Sequence, residues 1–224
     1  MSNAIEIKNL CLYYNDRAIL EDVNCAIEMG SIVGITGLSG AGKTSLIRAI
    51  NGNIKNDANV KVNGDILLFG NCAENTPSRT VATVYQDPDT QIVFPNVLDE
   101  ITFGMENYCF TRDEMDVNLK LITANLGIVH LLERNPNNLS GGEKQLVVLA
   151  AILCIQSKIL LLDECISQVD EKGRRRVKQI LLALKEQGIT IVMIEHNYDN
   201  LEIVDEMYEL KNTNLKLIRS GVKK

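Results

Sequence analysis

The chain has no tryptophan, only four phenylalanines and four prolines, and just two histidines, His130 and His196. Two isolated histidines do not make the ligand pairs that zinc sites use. The six cysteines (Cys11, Cys25, Cys72, Cys109, Cys154 and Cys165) include no C-x-x-C spacing either. A zinc centre is therefore not expected. The expectation is reduced thiols packed as small apolar side chains, as in a cytosolic protein. Positive charge is also short: 23 Lys and Arg against 29 Asp and Glu leave a net charge of -6. That balance argues against a general nucleic-acid binder. The densest basic cluster, Lys172, Arg174, Arg175, Arg176 and Lys178, reads as a solvated helix face. No signal peptide is evident, and the longest strongly apolar run, Leu146 to Ile155, is too short to span a bilayer. Work at a membrane would need a partner to supply the spanning part.

What is present is an ordinary globular composition, 46% apolar and 23% charged over 224 residues. This is enough chain for one large domain, or a domain with a subdomain. The N-terminal third reads as strands: Ile5 and Ile7 alternate with polar residues, and Ile19, Val23 and Ile27 follow less regularly. Ser31 to Thr36 is a short apolar run, and Leu46 and Ile50 mark one face of a helix after it. Val60 to Phe69 reads as a strand pair broken at the turn signal Asn63-Gly64. From about Asp87 to Gln145 the pattern is mostly helical, with Met115, Leu119 and Ile122 at helical spacing. The last third returns to buried strands at Ile159 to Leu162 and Ile189 to Ile194, with a helix over Val177 to Leu184. That β-α-β order implies a parallel sheet covered by helices.

Gly37-Leu38-Ser39-Gly40-Ala41-Gly42-Lys43-Thr44 matches the phosphate-binding P-loop G-x-x-x-x-G-K-[ST]. Glycines let the loop curl so that successive N–H groups point at phosphate oxygens. The helix that follows offers free N–H groups and a favourable dipole. Lys43 would reach the β- and γ-phosphates, Thr44 would give its hydroxyl to Mg²⁺, and Ser45 follows in the same helix start. A purine nucleoside triphosphate with magnesium is the expected ligand. Further on, Ile159-Leu160-Leu161-Leu162 ends in Asp163-Glu164. In open α/β sheets ligands sit at the carboxyl ends of strands. Asp163 is thus placed to hold Mg²⁺, and Glu164 to orient or deprotonate an attacking water.

Leu139-Ser140-Gly141-Gly142-Glu143-Lys144-Gln145, between those two motifs, resembles the signature of ATP-binding cassette (ABC) ATPases. Other motifs fall in that family's order. Gln86 matches the Q-loop glutamine that touches Mg²⁺ and the attacking water. Ser167-Gln168-Val169-Asp170 resembles the D-loop, with Asp170 also suited to cap the next helix. His196 matches the switch histidine at the γ-phosphate. Tyr14, or its neighbour Tyr13, resembles the aromatic that stacks on adenine, and Tyr14, at the end of the first strand, is the favoured one.

The resemblance implies an α/β fold: a P-loop NTPase ABC cassette with a RecA-like core, an N-terminal antiparallel β subdomain and a helical subdomain at about 87–147, all within one domain, 1–224. It also implies Mg²⁺ and ATP, and a head-to-tail dimer in which residues 139–143 complete the site of a second ATPase subunit, identical or a paralogue. The segments Asp87 to Phe94 and Val97 to Asn107 look like those of energy-coupling-factor (ECF) importer ATPases, which abut a cytoplasmic helix of a membrane subunit. This implies a peripheral protein at the cytoplasmic face of the membrane, driving uptake of a vitamin or metal ion, with no nucleic-acid partner. Three positions depart from the pattern. Leu146 stands where Arg is usual, Ser157 stands where Pro is usual, and the sequence ends soon after its last expected strand, where many ECF ATPases carry an extension that helps them dimerise. The competing classes are a soluble ABC ATPase of translation or DNA maintenance, and a subunit that binds nucleotide without hydrolysis. The single cassette and short gap between motifs disfavour the first, and the intact Asp163, Glu164 and His196 disfavour the second.

Overall fold

The computed structural model describes residues 2–221. Strands β1 (Asn3–Tyr14) and β2 (Arg17–Glu28) form an antiparallel hairpin. Its two-residue turn, Asn15-Asp16, has both residues at positive φ, 45° and 64°, as hairpin turns that follow the strand twist require. After β3 (Ile32–Thr36) and helix α1 (Lys43–Ile50) the chain adds β4 (Val60–Leu68) and the short β5 (Asn71–Cys72). These complete a four-stranded sheet of order β2-β1-β4-β5.

The reading of Asn63-Gly64 as a turn is wrong. β4 runs straight through it, antiparallel to β1. Gly64 takes φ +92°, and a Cβ there would lie 2.4 Å from the Asn9 carbonyl oxygen. Opposite it the ladder slips register between Lys8 and Cys11, with Asn9 at φ 49°. The glycine serves a bulge and a close backbone approach rather than a chain reversal.

The second sheet is built from β3, β6 (Val81–Val84), β7 (Ile159–Asp163), β8 (Thr190–Ile194), β9 (Glu206–Lys211) and β10 (Asn214–Ser220), in the order β10-β9-β3-β8-β7-β6. All its pairings are parallel except β9 with β10. The continuous apolar runs of the sequence are its inner strands β7 and β8, and both faces of them are buried. Leu160, Leu162, Ile191 and Met193 face one core, with the helices. Ile159, Leu161, Val192 and Ile194 face the other, with α1 and the antiparallel sheet. A strand covered on both sides has no polar alternation to show, which is why it reads as unbroken hydrophobicity.

Helices α2 (Val97–Asn107), α3 (Arg112–Leu126) and α4 (Gly141–Cys154) lie between β6 and β7, and α5 (Glu171–Glu186) between β7 and β8. α4 buries Leu146, Val147, Val148, Leu149 and Leu153. At roughly 1.5–3 kcal/mol for each buried aliphatic side chain, this packing outweighs the ~1 kcal/mol of its N-terminal cap several-fold. The start of α4 is therefore presented by a firmly held helix. Leu146, which stands where the family usually has Arg, belongs to this apolar face.

Two bland expectations fail in part. Cys154 and Cys165 are buried thiols, and burial pushes Cys154 up to about 12. Cys72 and Cys109, however, are exposed. The basic run on α5 is not uniformly solvated either. Arg176 donates to the Leu126 carbonyl at 3.2 Å, and Lys178 pairs with Glu202 at 2.8 Å with its side chain only 15% exposed. Among the described residues no helix is long and apolar enough to cross a membrane.

Candidate nucleotide site

Residues 37–42 leave the carboxyl end of β3 and enter α1. Gly37, at φ +152°, passes so close to β9 that a Cβ would lie 2.4 Å from the Leu210 carbonyl oxygen, so only glycine fits. Gly40 and Gly42 also take positive φ, curling the loop. α1 begins at Gly42 with no side-chain cap, whereas α2, α3, α4 and α5 are each capped by a side chain, from Asn96, Thr111, Ser140 and Asp170. An uncapped helix start following a curled glycine loop leaves N–H donors free for an anion. Leu38, Ser39 and Gly40 are exposed, and with Ala41 they line a cleft shared with residues 209–212.

Lys43 is 5% exposed. Its Nζ donates to the Gly37 and Leu38 carbonyls, both at 3.0 Å, and lies 3.3 Å from His196 Nε2. Burial pulls its ammonium below the ordinary lysine range, against the opposing pull of the Glu164 and Asp163 carboxylates. The cation sits inside the loop it would help to charge. Ser45 is half-buried one residue after Thr44.

Thr44 Oγ1 donates to Asp163 Oδ2 at 2.7 Å. Asp163, at the end of β7, is 2% exposed. Burial pushes its carboxyl up, and the bond from Thr44 pulls it back down. The donor set suits magnesium: a hydroxyl and a carboxylate oxygen converge beside the phosphate loop, with Gln86 nearby through Glu164. Mg²⁺ takes hard oxygen ligands, commonly one or two from protein, and fills its shell with phosphate and water. Among the described residues no cluster of three or more His, Cys, Asp or Glu could hold a metal unaided.

Glu164, the next residue, takes φ +50°. A non-glycine residue there is strained by about 1–3 kcal/mol and must be held by its surroundings. Its amide donates to the Ile194 carbonyl at 3.0 Å, and Ser167 Oγ donates to the Glu164 carbonyl at 2.9 Å. The side chain is held at both oxygens. Gln86 Nε2 donates to Oε2 at 3.1 Å, and His196 Nε2 lies 2.7 Å from Oε1. Gln86 follows β6 and His196 follows β8, so three adjacent parallel strands deliver the three groups to one edge of the sheet.

The signature residues lie elsewhere on the chain. Ser140 caps α4: its Oγ donates to Glu143 Oε2 at 2.8 Å and accepts from the Glu143 amide at 3.3 Å. Ser140, Gly141, Gly142 and Glu143 line a cavity of about 810 Å³ with Gln168, Val169 and Asp170, distinct from the cleft of residues 38–41. Leu139, just before, is buried. Asp170 Oδ1 caps α5 through the Gly173 amide at 2.7 Å. Tyr14 is half-buried against the core around α1, and Arg48 of that helix donates to its hydroxyl at 3.3 Å. Tyr13 packs on neither core.

Some polar residues organise the site through partners that their own sequence position does not reveal. Gln145 is 2% exposed, and its Nε2 donates at 3.2 Å to the Tyr85 carbonyl, one residue before Gln86. Lys144 Nζ pairs with Asp89 at 2.6 Å. Both tie the start of α4 to the segment after β6. Both residues close the signature-like segment Leu139 to Gln145, whose spacing does not show these distant partners. Glu195, 2% exposed, closes the apolar β8 with no cation beside it in sequence. Burial pushes its carboxyl up to about 7, opposed by bonds from Asn200 and the Ile166 amide.

A phosphate loop and a carboxylate pair at the ends of parallel strands, with the Ser140-capped helix α4 lining a separate cavity, define a P-loop cassette. The family model for ABC transporters matches residues 20–167, and the chain belongs to that family. It is 36% identical over 215 residues to the energy-coupling factor transporter ATP-binding protein EcfA1 of Oenococcus oeni, covering 93% of this chain and 76% of the relative. Two ABC transporter ATP-binding proteins of Saccharolobus solfataricus are each 38% identical, over 91% and 88% of this chain. The chain spans only 40% and 38% of their length. The solved structure of CbiO1 from Clostridium perfringens, described as part of the ABC transporter complex CbiONQ, superposes with a TM-score of 0.82 at 26% identity, over 97% of this chain and 88% of that one.

Proposed function

We propose that this chain is the ATP-hydrolysing subunit of an ECF-type ABC importer, working as a head-to-tail dimer at the cytoplasmic face of the membrane. The observation that carries the reading is the convergence of Gln86, Glu164 and His196 beside a P-loop whose threonine is bonded to Asp163. Its likeness to EcfA1 and CbiO1 supports the importer class.

ATP lies with its phosphates on the amides of residues 37–45 and its adenine against Tyr14. Lys43 balances the β- and γ-phosphate charge. Thr44, Asp163 and Gln86 would hold Mg²⁺, which would neutralise charge developing on the phosphate oxygens. Glu164, held at both oxygens, orients the attacking water and accepts its proton. His196, on the other side of that carboxylate, stabilises the transferring phosphoryl group. Leu139, Ser140, Gly141, Gly142 and Glu143 close on the nucleotide of the opposite subunit, with Asp170 at the contact. Because a second subunit finishes the site, closure depends on the bound nucleotide, and that dependence drives the membrane partner.

The surface for that partner follows β6. Val93 is 76% exposed and Phe103 41%, and the Phe94 and Phe103 rings lie 4.8 Å apart. Glu100, itself buried, accepts the Val93 and Phe94 amides at 2.8 Å each and fixes the turn that presents them. Purification from its native membrane tests the class: a polytopic membrane protein should co-purify and be lost with Phe103→Ser. Capture of a ribosome or DNA instead would favour a soluble ABC ATPase.

A further inference from the structure

Glu195 is buried between the two loops that carry the hydrolytic groups. Its Oε2 accepts from Asn200 Nδ2 at 3.1 Å, and the backbone amide of Ile166 is close enough to favour its charged form. Both Glu195 and Asn200 are 2% exposed. Ile166 lies two residues after Glu164, and Asn200 four residues after His196. The carboxylate thus bridges the loop after β7 to the loop after β8, behind the 2.7 Å contact between Glu164 Oε1 and His196 Nε2. Backbone bonds reinforce the bridge: Glu164 donates to Ile194, and Glu195 to Ile35.

A buried carboxylate that faces two neutral donors, with the Arg174 cation and the Glu164 anion acting on it in opposite senses, is a poor way to gain stability, because desolvation costs more than such contacts return. It is a good way to fix geometry, since both donors are satisfied at one position only. We propose that Glu195 is a positioning residue that sets the separation of Glu164 from His196, with the Ile166 amide and Asn200 as its two anchors. The inference rests on the ATPase reading above.

The test is steady-state ATP hydrolysis by the full chain. Glu195→Ala removes the bridge. Its kcat should fall by about tenfold or more, with the KM for ATP changed less than about threefold, because misplacement of a positioned group costs rate rather than binding. Glu195→Gln keeps an acceptor oxygen in place and should retain kcat within about threefold. Asn200→Ala removes one anchor and should lower kcat in the same sense; it decides the matter if Glu195→Ala does not fold. A side chain that merely filled space would also be rescued by Gln, but it would lower stability without the split between kcat and KM. Wild-type kcat in Glu195→Ala or Asn200→Ala, or a Gln variant as impaired as Ala, would overturn the inference alone. A wild-type chain without Glu164-dependent turnover would overturn the ATPase reading and this inference with it.

Discussion

Thr44 Oγ1 and Asp163 Oδ2 lie 2.7 Å apart, joining the first turn of α1 to the end of β7. The pair brings a hydroxyl and a carboxylate to the edge of the phosphate loop, hard oxygen donors of the kind a magnesium ion would take. Asp163→Asn should weaken Mg·ATP binding by roughly ten- to hundredfold and change binding of metal-free ATP much less. Titration of a fluorescent ATP analogue, with Mg²⁺ and with EDTA, reads both. Equal loss under the two conditions would remove Asp163 from the metal site.

Glu195 gives a stability signature separate from its role in turnover. Burial raises its carboxyl from the ordinary 4.5 to about 7. Between those values the folded state holds the proton and the unfolded chain does not, so stability falls as pH rises through that window. Glu195→Gln cannot titrate. Relative to it, the wild type should be at its best below 4.5, lose ground up to about 7, and hold a constant difference beyond. Denaturant midpoints of both proteins across pH measure this, and a flat difference would refute it.

Ser157, just before β7, is 2% exposed, and its hydroxyl has no hydrogen-bond partner among the described residues. A buried unpaired hydroxyl is a net cost. Ser157→Ala should therefore raise stability by about 1 kcal/mol and leave ATP hydrolysis unchanged. Chemical denaturation checks it. Loss of stability on substitution would mean that the hydroxyl is paired.

The sequence displayed the parallel core well, because strands buried on both faces, such as Ile191 to Ile194, must be apolar throughout. The P-loop and the carboxylate pair were legible because their chemistry demands fixed spacing within one short segment. Long-range features were not. Gly64 carries the same turn signal whether it reverses the chain or relieves a bulge, and only Asn9 on the facing strand decides which. The hairpin from β9 to β10 turns on Asn212 and Thr213, both at positive φ, with no glycine to announce it. Arg176 and Lys178 looked like members of one solvated basic run. Their partners, Leu126 and Glu202, are distant in sequence. Glu195 belongs to no motif, and Gln145, which closes the signature-like segment, has its partner Tyr85 on a distant strand end.

The account turns on Glu164 as the group that activates water, and ATP turnover by Glu164→Gln tests it most directly. The variant keeps the shape and the contact with Gln86 but cannot take a proton. Its kcat should fall by at least about a hundredfold, while Mg·ATP still binds and holds the chain as a dimer in size-exclusion chromatography. Turnover near the wild-type rate would contradict the account.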